Sequence, residues 1–162
     1  MARRLRPVGL DFIDDAPVRL VFDAGTTAPP EAVYHALAEE VAGWPAWFGA
    51  VTLARPTHGG AGREIRLRGG VRFQETVMAA DPEQRYAYRA DTTNAPGVRA
   101  LLEEWRLAPA GSGTHVRWTF AADGPTAFRL GLAAARPGLG HSFRTAVRAL
   151  DRRLTARRGA DQ

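Results

Sequence analysis

Two periods of apolar residues divide this chain. Val18, Leu20 and Phe22 sit in a first strand that ends at Gly25. Thr27, followed by Pro29 and Pro30, predicts a helix start capped by the threonine side chain. Val33, Tyr34, Leu37 and Val41 follow at helical spacing, and Gly43 stops that helix. Trp44-Pro45-Ala46-Trp47-Phe48-Gly49 then reads as a second, short aromatic helical turn. From Val51 onward the period falls to two. Val51–Ala54, the stretch holding Ile65 and Leu67, and residues 71–80, 84–92, 98–107 and 114–122 read as six strands. Gly59-Gly60-Ala61-Gly62, Gly69-Gly70 and Asp81-Pro82-Glu83-Gln84 supply tight turns between them, which predicts an antiparallel meander. The helical period returns at the end. Residues 125–135 are Ala-rich, Pro137-Gly138 predicts a break or kink, and Phe143, Ala146, Val147, Leu150 and Leu154 mark the apolar stripe of a long amphipathic helix.

That order has a consequence for packing. A long helix must bury its stripe, and a curved antiparallel sheet is the available surface. Such a sheet meets a helix at its ends more readily than at its middle, so the space between them tends to stay open. The expected organisation is an extension over residues 1–16 that packs loosely, one domain over 17–158, and a tail at 159–162.

Composition narrows the chemistry. With 162 residues the chain fits one domain. It has no cysteine, which excludes disulfides and thiol catalysis. All 22 basic residues are arginine, which excludes a Schiff-base lysine. No apolar run approaches the roughly 18 residues of a membrane span, and no apolar segment follows Arg3, Arg4 and Arg6, so a cytoplasmic location is expected. The net charge of +5 is partly concentrated at the C-terminus, at Arg144, Arg148, Arg152, Arg153, Arg157 and Arg158. Such a run is a solvated helix face or a docking surface for an acidic partner. No spacing suggests a metal site, no glycine motif cradles phosphate, and no basic-aromatic interleaving suggests nucleic acid. No cofactor is expected.

Candidate site residues follow from parity and residue type. Trp44, Trp47, Phe48, Trp105, Trp118 and Phe120 either fill a core or line a pocket for a flat apolar ligand. Trp118 and Phe120 share a strand face with Val116, while Arg117 and Thr119 point the other way. Tyr86 and Tyr88 share a face from which a phenol could donate to a ligand carbonyl. Glu75 and Glu103 would face inward if Phe73 and Leu101 do, and a buried glutamate could serve as general base for carbanion formation. His141, at the start of the long helix, is the one histidine placed near an expected pocket mouth.

The motifs resemble a known superfamily. Ala28-Pro29-Pro30-Glu31-Ala32-Val33-Tyr34, Trp44-Pro45-Ala46-Trp47-Phe48 and Asp81-Pro82-Glu83-Gln84-Arg85 carry the likeness, with Trp105-Arg106-Leu107-Ala108-Pro109 and Gly111-Ser112-Gly113-Thr114-His115-Val116-Arg117-Trp118 in the last hairpin. Together they resemble the START-like, helix-grip superfamily, and within it the polyketide cyclase/dehydrase and lipid-transport group, over about residues 18–157. The resemblance implies an α+β fold: a curved seven-stranded antiparallel sheet wrapped around a long C-terminal helix, with two short helices between the first two strands. It implies a cavity between sheet and helix, with Trp44, Trp105 and Trp118 at pocket positions. It also implies that Arg72, Gln74, Thr76 and Met78 face inward, leaving Glu75 toward solvent, with Met78 in the register where the group carries a ketone-polarising arginine. The implied function is binding of an aromatic or polyketide-like molecule, with cyclisation or aromatisation assisted by Arg72, Tyr88 and Tyr86. Under it the C-terminal arginines would dock an acyl carrier protein. The alternative is a non-catalytic carrier or sensor of an apolar ligand.

Overall fold

The computed structural model describes residues 1–161. Eight strands form one sheet: β1 (Arg3–Arg4), β2 (Val18–Thr26), β3 (Val51–Thr57), β4 (Gly62–Leu67), β5 (Arg72–Asp81), β6 (Arg85–Thr93), β7 (Ala100–Ala110) and β8 (Gly113–Asp123). Helices are α1 (Phe12–Asp15), α2 (Pro30–Tyr34) and α3 (Thr126–Ala160). A π-helical turn at His35–Glu39 and a 3₁₀ turn at Val41–Ala46 extend α2 toward β3. The sheet order is β2-β8-β7-β6-β5-β4-β3, antiparallel throughout. This is the helix-grip architecture, with eight strands where seven were expected. The additional strand is β1, paired with β6 at Arg3–Thr93 and Arg4–Thr92, beyond the last β6–β7 pair at Arg89–Leu102. It fills the gap where β7 diverges.

The first sixteen residues are therefore anchored rather than loose. Val8, Phe12 and Ile13 are buried on the outer face of the sheet against Ala100, Leu102 and Ala121. Four apolar side chains in a short segment, Leu5 among them, bury enough surface to hold it in place.

The main core lies on the other face, between sheet and α3. Gly140, Phe143, Ala146, Val147, Leu150 and Leu154 form the buried stripe of that helix. Gly140 lets the helix approach closely, since a Cβ there would stand about 3.0 Å from the Phe22 ring and make the ring shift by a few tenths of an ångström. Helix α3 runs through Pro137 without a break, so of the expected break or kink the break does not occur. Proline removes one N–H and crowds the carbonyl one turn back, but Ala133 is exposed, so water can serve that carbonyl. The start of α2 also differs from expectation, since no side chain caps it, that of Thr27 included. Instead Asp151 of α3 accepts hydrogen bonds from the backbone N–H groups of Thr27 (2.9 Å) and Ala28 (3.0 Å), and from the Thr27 hydroxyl (3.0 Å). No helix among the described residues is long and apolar enough to cross a membrane.

Candidate functional site

Alternation along five neighbouring strands builds one inner wall. Strand β4 directs Arg63, Ile65 and Leu67 inward, and β5 directs Phe73 and Glu75. Tyr88 comes from β6, Glu103 from β7, and Trp118 and Phe120 from β8. Trp44 and Phe48 close one side, and Leu139 and Ser142 of α3 form the roof. These residues enclose a cavity of about 210 Å³. A wider open cleft of about 560 Å³ lies elsewhere, between α2, the β5–β6 turn and the end of α3. Its lining mixes Tyr34, Leu154 and prolines with charged residues such as Glu31, Glu83, Arg157 and Arg158, and it contains none of the cavity's side chains.

The polar groups of the cavity are cross-strand neighbours. Arg63 sits opposite Glu75, and Tyr88 opposite Glu103. Arg63 is 2% exposed, and its Nε donates to Glu75 Oε2. Its Cζ lies 3.4 Å from the ring centroid of Tyr88 and 4.4 Å from that of Trp44, so the cation is held on aromatic faces as well as by the carboxylate. Among the described residues, Nη1 is buried and finds no hydrogen-bond partner. Glu103 Oε2 accepts the Tyr88 hydroxyl (2.8 Å) and the Trp118 indole N–H (3.0 Å). The Trp105 indole N–H donates in turn to the Tyr88 oxygen (3.0 Å). Oε1 of Glu103 accepts no hydrogen bond from the described residues.

Burial sets the protonation states. It pushes the Glu103 carboxyl up to about 7, with the Glu75 charge adding to the effect and the Tyr88 and Trp118 donors opposing it. Burial also raises Glu75, against the pull of Arg63. Burial alone would lower the guanidinium of Arg63, but Glu75 and the two tyrosines outweigh it, and the group stays charged. Tyr88 is raised well above its usual range, by burial first and then by Glu103, so the phenol remains a donor. A charged guanidinium with unused N–H groups, and a carboxyl that can take or give a proton near neutrality, therefore share one apolar space. Such a pair can polarise a carbonyl and move a proton beside it.

The structure brings together some of the expected residues and separates others. Trp44, Phe48, Tyr88, Glu103, Trp118 and Phe120 line the cavity. Trp47, Trp105 and Tyr86 are buried directly behind them. Trp105 stacks on Trp118 with centroids 5.7 Å apart, and Tyr86 contacts Tyr88 at 5.5 Å. Arg72, Gln74 and Met78 do not reach the cavity. The apolar pair Ile65 and Phe73 fixes the inner face of β4 and β5, so Arg72 and Gln74 emerge on the outer face, both exposed. A bulge between Val77 and Ala79 leaves Met78 against the outer cluster of Val8, Phe12 and Ile13. Glu75, expected to face solvent, is buried. His141 is exposed, and the next residue, Ser142, takes the inward position. Arg63 is the functional candidate that sequence reasoning missed. Its shared parity with Ile65 and Leu67 was the available signal.

A curved antiparallel sheet closed by one long helix over a cavity is the fold of START-like proteins. The chain belongs to the polyketide cyclase/dehydrase and lipid transport family, whose profile matches residues 23–155. It is 31% identical over 160 residues to the uncharacterized protein Mb2604 of Mycobacterium bovis, covering 96% of this chain and 95% of that one. Its fold is similar to that of a START superfamily protein from Mycobacterium smegmatis, with a TM-score of 0.67, 10% identity, and coverage of 85% and 97% of the two chains. A Rhodobacter sphaeroides protein is also similar, with a TM-score of 0.65, 26% identity, and coverage of 85% and 93%.

Proposed function

We propose that the protein binds a compact aromatic or polyketide-derived carbonyl compound between the sheet and α3, and promotes carbanion chemistry on it of the kind that cyclisation and aromatisation require. Arg63 would polarise the carbonyl, Glu103 would take the adjacent proton through Oε1, and Tyr88 would orient Glu103. The observation that carries this is the pairing, in one cavity, of a guanidinium with unused donors and a carboxyl near pKa 7 with a free oxygen. Arg63 thus takes the role that sequence reasoning gave to Arg72. Exposed Arg144, Arg148 and Arg152, at i,i+4 spacing along α3, offer a docking ridge for an acidic partner such as an acyl carrier protein.

Cavity size favours a second reading, a carrier or sensor. An apolar cavity of about 150 Å³ admits one benzene ring. At about 210 Å³ this one suits one or two rings, and a long poly-ketone would not fit inside it. One experiment separates the two. The protein is incubated with a small aryl ketone in deuterated buffer, and exchange at the carbon beside the carbonyl is followed by NMR. Catalysed exchange that Glu103→Gln removes while binding survives supports the enzyme. Saturable binding without exchange in the wild type leaves the carrier.

A further inference from the structure

We infer that the cavity selects an uncharged oxygen acceptor and rejects a carboxylate of the same shape, so that its ligands are neutral carbonyl compounds rather than free aromatic or fatty acids. The inference rests on reading the cavity as a ligand site and adds the charge that the ligand must carry.

The groups facing the cavity carry it. One cation is present, Arg63, and its charge is already balanced by the paired Glu75 and shared with the faces of Trp44 and Tyr88. A second carboxyl, Glu103, stands across from it with one oxygen open. Tyr88 and Trp118 address Glu103 with neutral donors, and α3 contributes only Leu139 and Ser142. The arginines of α3 do not help, since Arg144 and Arg148 are exposed on its solvent side. What remains on the wall is apolar, including Phe48, Ile65, Phe73 and Phe120.

Arg63 therefore has hydrogen-bond capacity left over but no charge left over. A ketone or amide oxygen can accept from a guanidinium N–H, or from Glu103 in its protonated form, without adding charge. A ligand carboxylate would be a third acidic group beside a single guanidinium, stripped of water in a space where repulsion is poorly screened. It would gain the same hydrogen bond and lose on electrostatics.

Acetophenone, benzamide and benzoate share one outline and differ at the atom beside the carbonyl, so they isolate charge from shape. Each is titrated into the full-length ¹⁵N-labelled protein at about pH 8, following the indole N–H signals of the tryptophans. The expected result is saturable binding of acetophenone and benzamide, with benzoate weaker by about tenfold or more. Glu103→Gln should narrow that gap several-fold, because one of the two opposing carboxyls becomes neutral. Benzoate binding as tightly as the ketone overturns the inference and leaves the cavity reading intact. A gap unchanged by Glu103→Gln overturns the charge account. Failure of all three compounds to bind overturns the cavity reading and the inference with it.

Discussion

Arg63 and Glu75 show why a buried ion pair is informative about function. Each is almost fully enclosed, and pairing rarely repays the desolvation of two charges compared with a well-packed apolar pair. Removing one partner is worse, because it strands the other. Arg63→Met is expected to lower stability by about 3–5 kcal/mol in chemical denaturation, and the double change Arg63→Met with Glu75→Leu to recover much of that loss. Equal losses in the single and double variants would contradict the pairing. Glu103 makes a pH prediction. Its folded pKa of about 7 lies above the ordinary 4.5, so the folded state holds its proton more tightly than the unfolded chain does. Stability associated with this group is full below about pH 4.5, falls as pH rises, and is lost above about 7. Glu103→Gln has no such proton to lose, so its stability relative to wild type should rise by about 3 kcal/mol between pH 4.5 and 7.5. A flat difference across that range would mean that Glu103 is hydrated rather than desolvated.

At the scale of elements, two contacts outside the cavity fix its walls. Asp151 reaches from α3 to three donors of Thr27 and Ala28, just ahead of α2, so one carboxylate ties the β2–α2 link to the long helix. Asp151→Ala should cost about 1–2 kcal/mol. On the opposite side of the sheet, α1 covers β7 and β8 through Phe12 and Ile13. Phe12→Ala should cost about 3 kcal/mol by leaving a hole, without changing ligand affinity, because the sheet separates it from the cavity. A loss of affinity would mean that the two faces are coupled. Neither contact was legible beforehand. Thr27 is a good local cap by residue type, yet the hydrogen bonds go to a residue 124 positions away. The N-terminal segment has no clear period, and its burial depends on the outer face that β7 and β8 present at Ala100, Leu102 and Ala121.

The whole molecule decides whether its aromatics are core or lining, and the outcome is both. Trp47 and Trp105 are closed behind the wall, while Trp44 and Trp118 form part of it. A ligand present at about a hundred times its Kd should stabilise the fold by about 2.7 kcal/mol. Ala50→Phe, at the cavity wall, should fill the space and abolish that thermal shift while the protein stays folded. Persistence of the shift would place the ligand elsewhere. Much of this architecture is local information. Hydrophobic periods of two and 3.6 are imposed residue by residue, so the meander, the long terminal helix and the inward faces of Trp118 and Phe120 follow from the chain itself. The same parity, applied to Ile65 and Phe73, also points Arg63 and Glu75 inward. The shared-motif register that placed Arg72, Gln74 and Met78 inside conflicts with it and gives way, because burying Phe73 outweighs the register. Other features have no local cause. Strand β1, the Asp151 contact with Thr27 and Ala28, the pKa of Glu103 and the volume of the cavity depend on groups distant in sequence. Hydrophobic pattern therefore determined which elements form and which way they face. Only the assembled sheet and helix decided which charged groups meet in a space without water.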